Sequence, residues 1–469
     1  MHYNKFTIFA AIAVTLFTTG CSSTSGILRY NVPDITDTKI FHTQKIEHAE
    51  NPFRFYEGER QTLPAPAFWA NGRHADDQIS AEQYLEENAT TAFLVIRNDS
   101  ILYEKYFDGY SRDKISQVFS VTKSVISALV GIAMSEGYIK DVNQPVSDFL
   151  PYFKEKGREK LTLNHLLQMT AGLAFTDYKT LGKLVNLYYT DNQESVIRRV
   201  RQKYEPGTKF AYSSVATQIL GMCLEKAIGR PVSGYLQEKL WGPLGMEYDA
   251  EFALDRDGGT AKMFGGLSAS AIDLAKLGRL YLNNGKWNGK QLIPEDWVLA
   301  ARHADTIQGR SRRYAYCWWL DTYPRKAGYC ENDFFAGGFR GQVVYVNPND
   351  NTIVVRLGKK ENGVHWPHAL SKLALIQDCE HNMGAETDMV TLEGNYKSKN
   401  GEAFSVKLLN GILVLEDFIA PEKVELKRTG KFSYGNKDRN LNVIVDYRDK
   451  HVKGLIVEQG EKASFLEKI

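Results

Sequence analysis

Strand-like segments stand at both ends of a long helical stretch, and this order limits the folds open to the chain more than any other feature. Residues 92–96 and 101–107 are two apolar, strand-like runs on either side of Asn98-Asp99, a good hairpin turn pair. Helical spacing then takes over. Val121, Val125, Ala128, Leu129, Ile132 and Ala133 share one face up to Gly137, and helical signals continue over 163–169, 194–203, 215–228 and 272–283. Breaks such as Glu205-Pro206-Gly207 separate them. Strands return at 314–320, 334–336, 342–346 and 352–357, before a helix over 367–380. Strands, helices and strands again imply an α+β body whose single sheet closes from sequence-distant pieces around a helical insertion.

Two flanking regions differ from this body. Residues 27–88 are polar and punctuated by proline, and read as a segment that wraps or links. After about Glu386 the pattern is short strands without helix: 404–409 and 412–415 flank Asn410-Gly411, and 441–447 and 452–457 flank a second polar turn. This reads as a small β domain or open barrel. With 469 residues the chain exceeds one small domain, and the expected division is 1–20, 21–88, 89–384 and 385–469. The balance of 43% hydrophobic and 24% charged residues excludes a disordered chain and a multi-span membrane protein. A net charge of +2, with no long basic run, speaks against nucleic acid as a partner.

The first twenty residues read as an export signal: Lys5 near the start, an apolar run from Phe6 to Phe17, then Thr18-Thr19-Gly20-Cys21 and a small polar stretch. The apolar run is too short to span a bilayer unaided. Of the remaining cysteines, Cys223, Cys317, Cys330 and Cys379, the expected bridge is Cys317–Cys330 across a turn near Pro324 and Gly328; four buried thiols are the alternative. No Cys-x-x-Cys pair occurs, and His365-Trp366-Pro367-His368 alone is poor support for a metal site, so no metal is expected.

Chemistry concentrates at three places. Ser120-Val121-Thr122-Lys123 opens the first long helix, where i, i+3 spacing sets both side chains on one face. A serine needs a base, and a partly desolvated lysine of depressed pKa can be one. About two Ser-x-x-Lys strings are expected by chance in a chain this long. The other, Ser111 to Lys114, lies in a polar stretch with no apolar helical face, whereas Ser120 meets the helix N-terminus that favours developing negative charge. Next, Phe210-Ala211-Tyr212-Ser213-Ser214 follows the Pro206-Gly207 turn and precedes a helix, placing a phenol able to move a proton; packing under a helix start capped by Ser214 is the other reading. Last, Ala336-Gly337-Gly338-Phe339-Arg340-Gly341-Gln342 puts glycines at a strand end, where a substrate backbone can come close.

Together, in this order, these segments resemble the serine β-lactamase and penicillin-binding superfamily, in the class C β-lactamase-like branch that holds esterases, D-amino-acid peptidases and 6-aminohexanoate-dimer hydrolase. The resemblance runs from about Thr91 to Asp378 and includes 163–173 (LNHLLQMTAGL), Gly265-Gly266-Leu267-Ser268 and Asp273-Leu274-Ala275. It implies an antiparallel sheet flanked by helices, and the residues from about Leu392 resemble the lipocalin-like β domain that some members append. It also implies roles that need no metal or organic cofactor: Ser120 the acylated nucleophile, Lys123 the base or proton carrier, Tyr212 its partner, and the backbone amides of Ser120 and Phe339 an oxyanion hole. Ser214, Gly337, Gly338 and Arg340 would meet substrate. Two positions depart from the family pattern: Ser214 stands where the tyrosine motif usually ends in Asn, and Ala336-Gly337-Gly338 replaces Lys-Thr-Gly. Without that Lys and Thr to hold a carboxylate, an ester or amide is the expected substrate. A D-amino-acid peptide or slow β-lactam hydrolysis is the nearer alternative, and a catalytically inactive envelope scaffold is the third. Cys21 after Gly20 resembles a bacterial lipobox, with Thr18 where Leu is usual. That implies lipidation of Cys21 and a tether on the periplasmic side of the outer membrane; an ordinary cleaved signal with an incidental Cys is the other reading. The expected partners are a small molecule or short peptide and, through the lipid, the membrane.

Overall fold

The structure is a computed structural model that describes residues 32–70, 79–178, 181–303, 309–320 and 333–382, together with strands between 394 and 468. In chain order the strands ahead of the C-terminal region are β1 (Thr43–Ile46), β2 (Tyr56–Glu57), β3 (Thr90–Arg97), β4 (Ser100–Tyr106), β5 (Ser116–Gln117), β6 (Ala250–Ala253), β7 (Leu267–Ala269), β8 (Lys286–Trp287), β9 (Lys290–Gln291), β10 (Tyr314–Ala315), β11 (Trp318–Leu320), β12 (Phe334–Gly338), β13 (Gln342–Asn347) and β14 (Thr352–Gly358). The principal helices are α1 (Ala81–Glu87), α2 (Val121–Ser135), α3 (Leu163–Leu167), α4 (Leu181–Tyr189), α5 (Gln193–Arg199), α6 (Ser214–Ile228), α7 (Ala271–Leu282), α8 (Glu295–Arg302) and α9 (Trp366–Asn382). Two compact units divide the chain, each discontinuous in sequence. The first takes the described residues up to Phe53 with Asp113–Asp273 and Lys286–Cys317; the second takes Arg54–Arg112, Leu274–Gly285 and the described residues from Trp318 onward.

In the first unit a small antiparallel sheet runs in the order β1-β6-β7-β5, and the same unit holds helices α2 to α6. Residues 32–53 of the N-terminal segment read as a wrap are built into this unit. Thr43 to Ile46 pair with Ala253 to Ala250, Gln117 N–H donates to Ile35 O at 2.9 Å, and Tyr188 Oη donates to the buried Asp37 carboxylate at 2.6 Å. Strand β5, which leads into Ser120, is therefore held from its N-terminal side.

In the second unit the strands run β11-β12-β13-β14-β3-β4-β2, antiparallel from β11 to β4, with β2 parallel to β4. As expected, the β3–β4 hairpin turns at Asn98 and Asp99, whose φ of 48° and 60° are the left-handed values that a two-residue turn needs. All residues of β3, β13 and β14 are buried, and the middle of each strand is an apolar run: 92–96, 343–346 and 353–355. One face carries an aromatic layer of Trp69, Tyr84, Phe93 and Trp366, reached through α1 and α9. Against the sheet lies Gly278 of α7, where an added Cβ would stand 3.0 Å from Ile353.

The C-terminal strands Gly394–Ser398, Ala403–Leu409, Ile412–Glu416, Val424–Arg428, Ser433–Asn436, Leu441–Arg448, His451–Gln459 and Lys462–Lys468 form a closed antiparallel barrel in sequential order. The first strand pairs with the last, Tyr396 opposite Lys468, which leaves no open edge where the sequence allowed one. Leu409 pairs with Ile412 as the Asn410-Gly411 signal requires, although those two residues lie outside the described ones. The expected strand over 314–320 is broken in two, because Tyr316 and Cys317 take φ of 47° and 66°.

Candidate active site

The first unit holds Ser120, Lys123, Tyr212 and Ser214 together. Strand β5 ends at Gln117, and Val118 N–H donates to Leu267 O at 2.9 Å. Phe119 then turns through a φ of 47°, a strained value for a bulky residue, and delivers Ser120 to the first turn of α2. Ser120 is half-buried, and its backbone amide is among those at the positive end of a fifteen-residue helix. One turn on, Lys123 is 1% exposed and its Nζ lies 2.8 Å from Ser120 Oγ.

Lys123 Nζ has two further polar neighbours, Phe264 O at 2.8 Å and Ser214 Oγ at 3.2 Å. Burial lowers its pKa from 10.5 to about 8; the nearby carboxylate of Asp177, and then Cys317, act in the opposite direction. Helix α6 supplies much of the positioning. Gln218 donates to Ala261 O and accepts from Met263 N–H, both at 2.9 Å, which holds the segment ending at Phe264. Gly221, one turn further, meets Met263 so closely that an added Cβ would lie 2.2 Å from its Cγ.

Tyr212 is buried just before α6. Its hydroxyl is hydrogen-bonded to Ser120 and its ring centroid stands 5.2 Å from Lys123 Nζ. Burial, and then the Asp177 charge, hold the phenol well above its usual pKa, so it stays protonated at neutral pH. Around it stand Tyr178, 78% exposed with its ring 6.1 Å away, and the buried Tyr314 at 5.6 Å. Ser214 is turned toward Asp177: its backbone N–H donates to Oδ1 at 2.7 Å and its Oγ donates to Oδ2 at 2.6 Å. Asp177, Phe264 and Gln218 were not singled out by sequence reasoning. The Ser in place of Asn at 214 was the one available signal, because a buried hydroxyl beside a lysine requires a second partner.

Cys317 corrects an expectation. It is a free, buried thiol rather than half of a bridge to Cys330. The two left-handed residues Tyr316 and Cys317 turn the side chain inward, where it meets Tyr314 and Thr217, while its carbonyl accepts from Ser124 Oγ at 2.7 Å. Burial pushes the thiol up to about 12. Cys223 is likewise free and buried. Cys21 and Cys330 lie outside the described residues, as does the side chain of Cys379. The alternative pair, Ser111 and Lys114, is exposed.

Gly337, Gly338, Phe339 and Arg340 belong to the second unit, at the end of β12. Phe339 is 49% exposed, and Arg340 has a φ of 65° with its guanidinium donating to Lys359 O at 2.5 Å. Beneath this turn the fully buried Arg356 donates to the carbonyls of Arg340, Gly341, Asn88 and Lys360 and stacks on Trp366 at 4.2 Å.

Comparison with known proteins gives a consistent picture. Residues 81–375 match the family described as Beta-lactamase. The 6-aminohexanoate-dimer hydrolase of Paenarthrobacter ureafaciens is 28% identical over 324 residues, spanning 63% of this chain and 79% of the relative. A solved structure from Bacillus anthracis, named for 6-aminohexanoate-dimer hydrolase, superposes with a TM-score of 0.64 at 21% identity, covering 74% of this chain and 92% of the other. EstCE1, a hydrolase with promiscuous acyltransferase activity, gives 0.50 at 18% identity over 62% of this chain and 95% of its own. At those identities the two structures speak for the fold.

Proposed function

Since the chain belongs to the β-lactamase family of serine hydrolases, we propose that it cleaves an ester or a linear amide through an acyl-enzyme on Ser120. The observation that carries this reading is the buried Lys123 amine, 2.8 Å from Ser120 Oγ and shifted to about 8. A lysine of ordinary pKa is about 0.03% neutral at pH 7, whereas one at about 8 is about 9% neutral there and supplies usable base. Neutral Lys123 accepts the Ser120 proton as Oγ bonds to the substrate carbonyl carbon. When the intermediate collapses, the bond to the alcohol or amine breaks and that group leaves with a proton returned from Lys123, Tyr212 being the adjacent phenol able to relay it. Water then attacks the acyl carbon and gives a proton to the same lysine; as the ester bond to Oγ breaks, Lys123 returns that proton to Ser120 Oγ, which releases the acid and restores the Ser120 hydroxyl and the neutral amine.

The proposed substrate class is supported by a departure in the sequence. Ala336-Gly337-Gly338 offers no cation where relatives with Lys-Thr-Gly have one, and Arg340 is occupied with Lys359 O. A substrate that needs no carboxylate anchor suits this better than a β-lactam, and the relative from Paenarthrobacter bears the name of an amide hydrolase. A fluorophosphonate probe is expected to label wild type and to spare Ser120→Ala, with p-nitrophenyl esters and linear amides turned over. Equal labelling of both proteins defeats the proposal. We also propose that Cys21 carries a lipid that anchors the chain to the envelope; incorporation of labelled palmitate, lost in Cys21→Ser, is the expected result.

A further inference from the structure

Hydrogen-bond bookkeeping around Lys123 has a single solution once Asp177 is included. Two donors meet the Asp177 carboxylate: Ser214 N–H at Oδ1 and Ser214 Oγ–H at Oδ2. An ionised carboxylate only accepts, so the one Ser214 proton is committed to Oδ2, and Ser214 Oγ can only accept from Lys123 Nζ. Phe264 O, a carbonyl, also only accepts. A neutral amine has two hydrogens and one lone pair. Both hydrogens are claimed by Phe264 O and Ser214 Oγ, which leaves the lone pair facing the third neighbour, Ser120 Oγ at 2.8 Å.

We propose that Asp177 is a positioning residue that acts through Ser214: by fixing the direction of the Ser214 O–H it aims the lone pair of neutral Lys123 at the Ser120 proton. This inference rests on the serine-hydrolase reading above. It assigns a purpose to Ser at 214, since the hydroxyl takes its direction from its neighbour. Asp177 also ties to the phenol loop directly, its N–H donating to Tyr212 O at 3.2 Å.

Asp177→Asn separates this role from simple charge. The Ser214 N–H can only donate, so the single Asn oxygen faces it and the Asn amide nitrogen faces Ser214 Oγ as a donor. The Ser214 proton is then driven toward Lys123, where it occupies the lone pair. Removal of charge alone has the opposite sign, because the Asp177 carboxylate raises the Lys123 pKa and its loss frees more base at neutral pH. The other groups facing Lys123 are Tyr212, Ser214 and Cys317, with Tyr314 behind them, and all are unchanged in this variant.

The test measures kcat and KM for p-nitrophenyl butyrate at pH 7 to 9 in four proteins of matched melting temperature: wild type, D177N, S214A and D177N/S214A. The expected result is a fall in kcat of about tenfold for S214A and about a hundredfold or more for D177N, with KM within about threefold of wild type. The double variant, having lost the misdirected hydroxyl, recovers to within about threefold of S214A. If the double variant is no faster than D177N, or D177N is as active as wild type at pH 7, the proposal is overturned while the serine-hydrolase reading stands. If D177N does not fold, S214A decides alone, and a kcat equal to wild type refutes the proposal. Absence of both turnover and Ser120 labelling in wild type would overturn the two readings together.

Discussion

The sharpest test of the site is its acid limb. Lys123 must be neutral to accept the Ser120 proton, so activity rises with pH as the amine loses its own proton, with a midpoint at the amine's pKa of about 8. The neutral fraction is then about 1% at pH 6, 9% at pH 7, 50% at pH 8 and 90% at pH 9. Between pH 6 and 7 kcat/KM should climb about ninefold, between 7 and 8 about fivefold, and between 8 and 9 less than twofold. An unshifted lysine at 10.5 would be only about 0.03% neutral at pH 7, so burial makes about three hundredfold more base available there. Tyr212 is the rival base, and its pKa is held well above 10 by burial and by the Asp177 charge. A phenolate base would place the limb above pH 10. The assay is kcat/KM for a p-nitrophenyl ester from pH 5.5 to 9.5, read where p-nitrophenol and its anion absorb equally. The second-order rate of fluorophosphonate labelling at Ser120 is followed in parallel, because it reports acylation without product release. A flat profile, or a limb still rising in direct proportion to hydroxide at pH 9.5, refutes Lys123 as the base.

Two predictions concern the scaffold. Gly221→Ala places a methyl group where Met263 stands and displaces the segment that presents Phe264 O to Lys123; a loss of about 1–3 kcal/mol in urea unfolding is expected, with kcat falling more than KM rises. Arg356→Met leaves the carbonyls of Arg340, Gly341, Asn88 and Lys360 without their donor and is expected to cost about 2–4 kcal/mol; a stability equal to wild type would show that the turn after β12 does not depend on it.

What the sequence disclosed about the site was its local part. Ser120 and Lys123 lie one helical turn apart, and Tyr212 sits between a Pro-Gly turn and a helix start, so periodicity and turn chemistry place them. The long-range part was hidden. Phe264 acts through a carbonyl, which every residue possesses, from 141 positions away. Asp177 resembles any loop carboxylate until the fold brings Ser214 to it across 37 residues. Cys317 illustrates the converse. Its spacing to Cys330 suggested a bridge, but the left-handed pair at 316 and 317 turns the thiol inward, and side-chain direction at such a kink follows no strand alternation. The helix of α2 and the Asn98-Asp99 hairpin were legible because both are decided by neighbours within a few residues. The place of residues 34–46 in the first unit was not, since their partners are Gln117, Tyr188 and strand β6.

The sheet order of the second unit has a consequence for synthesis. Strand β3 is buried at every position, yet its neighbour β14 lies about 250 residues further along the chain. At roughly 5–20 residues per second, translation completes β3 on the order of ten to fifty seconds before β14 exists. Over that interval one side of an apolar strand has no partner, and β4 can cover only the other. The β3–β4 hairpin is thus a part of the nascent chain that needs shielding, and a change that slows elongation between residues 107 and 352 lengthens its exposure without altering a single contact in the finished protein.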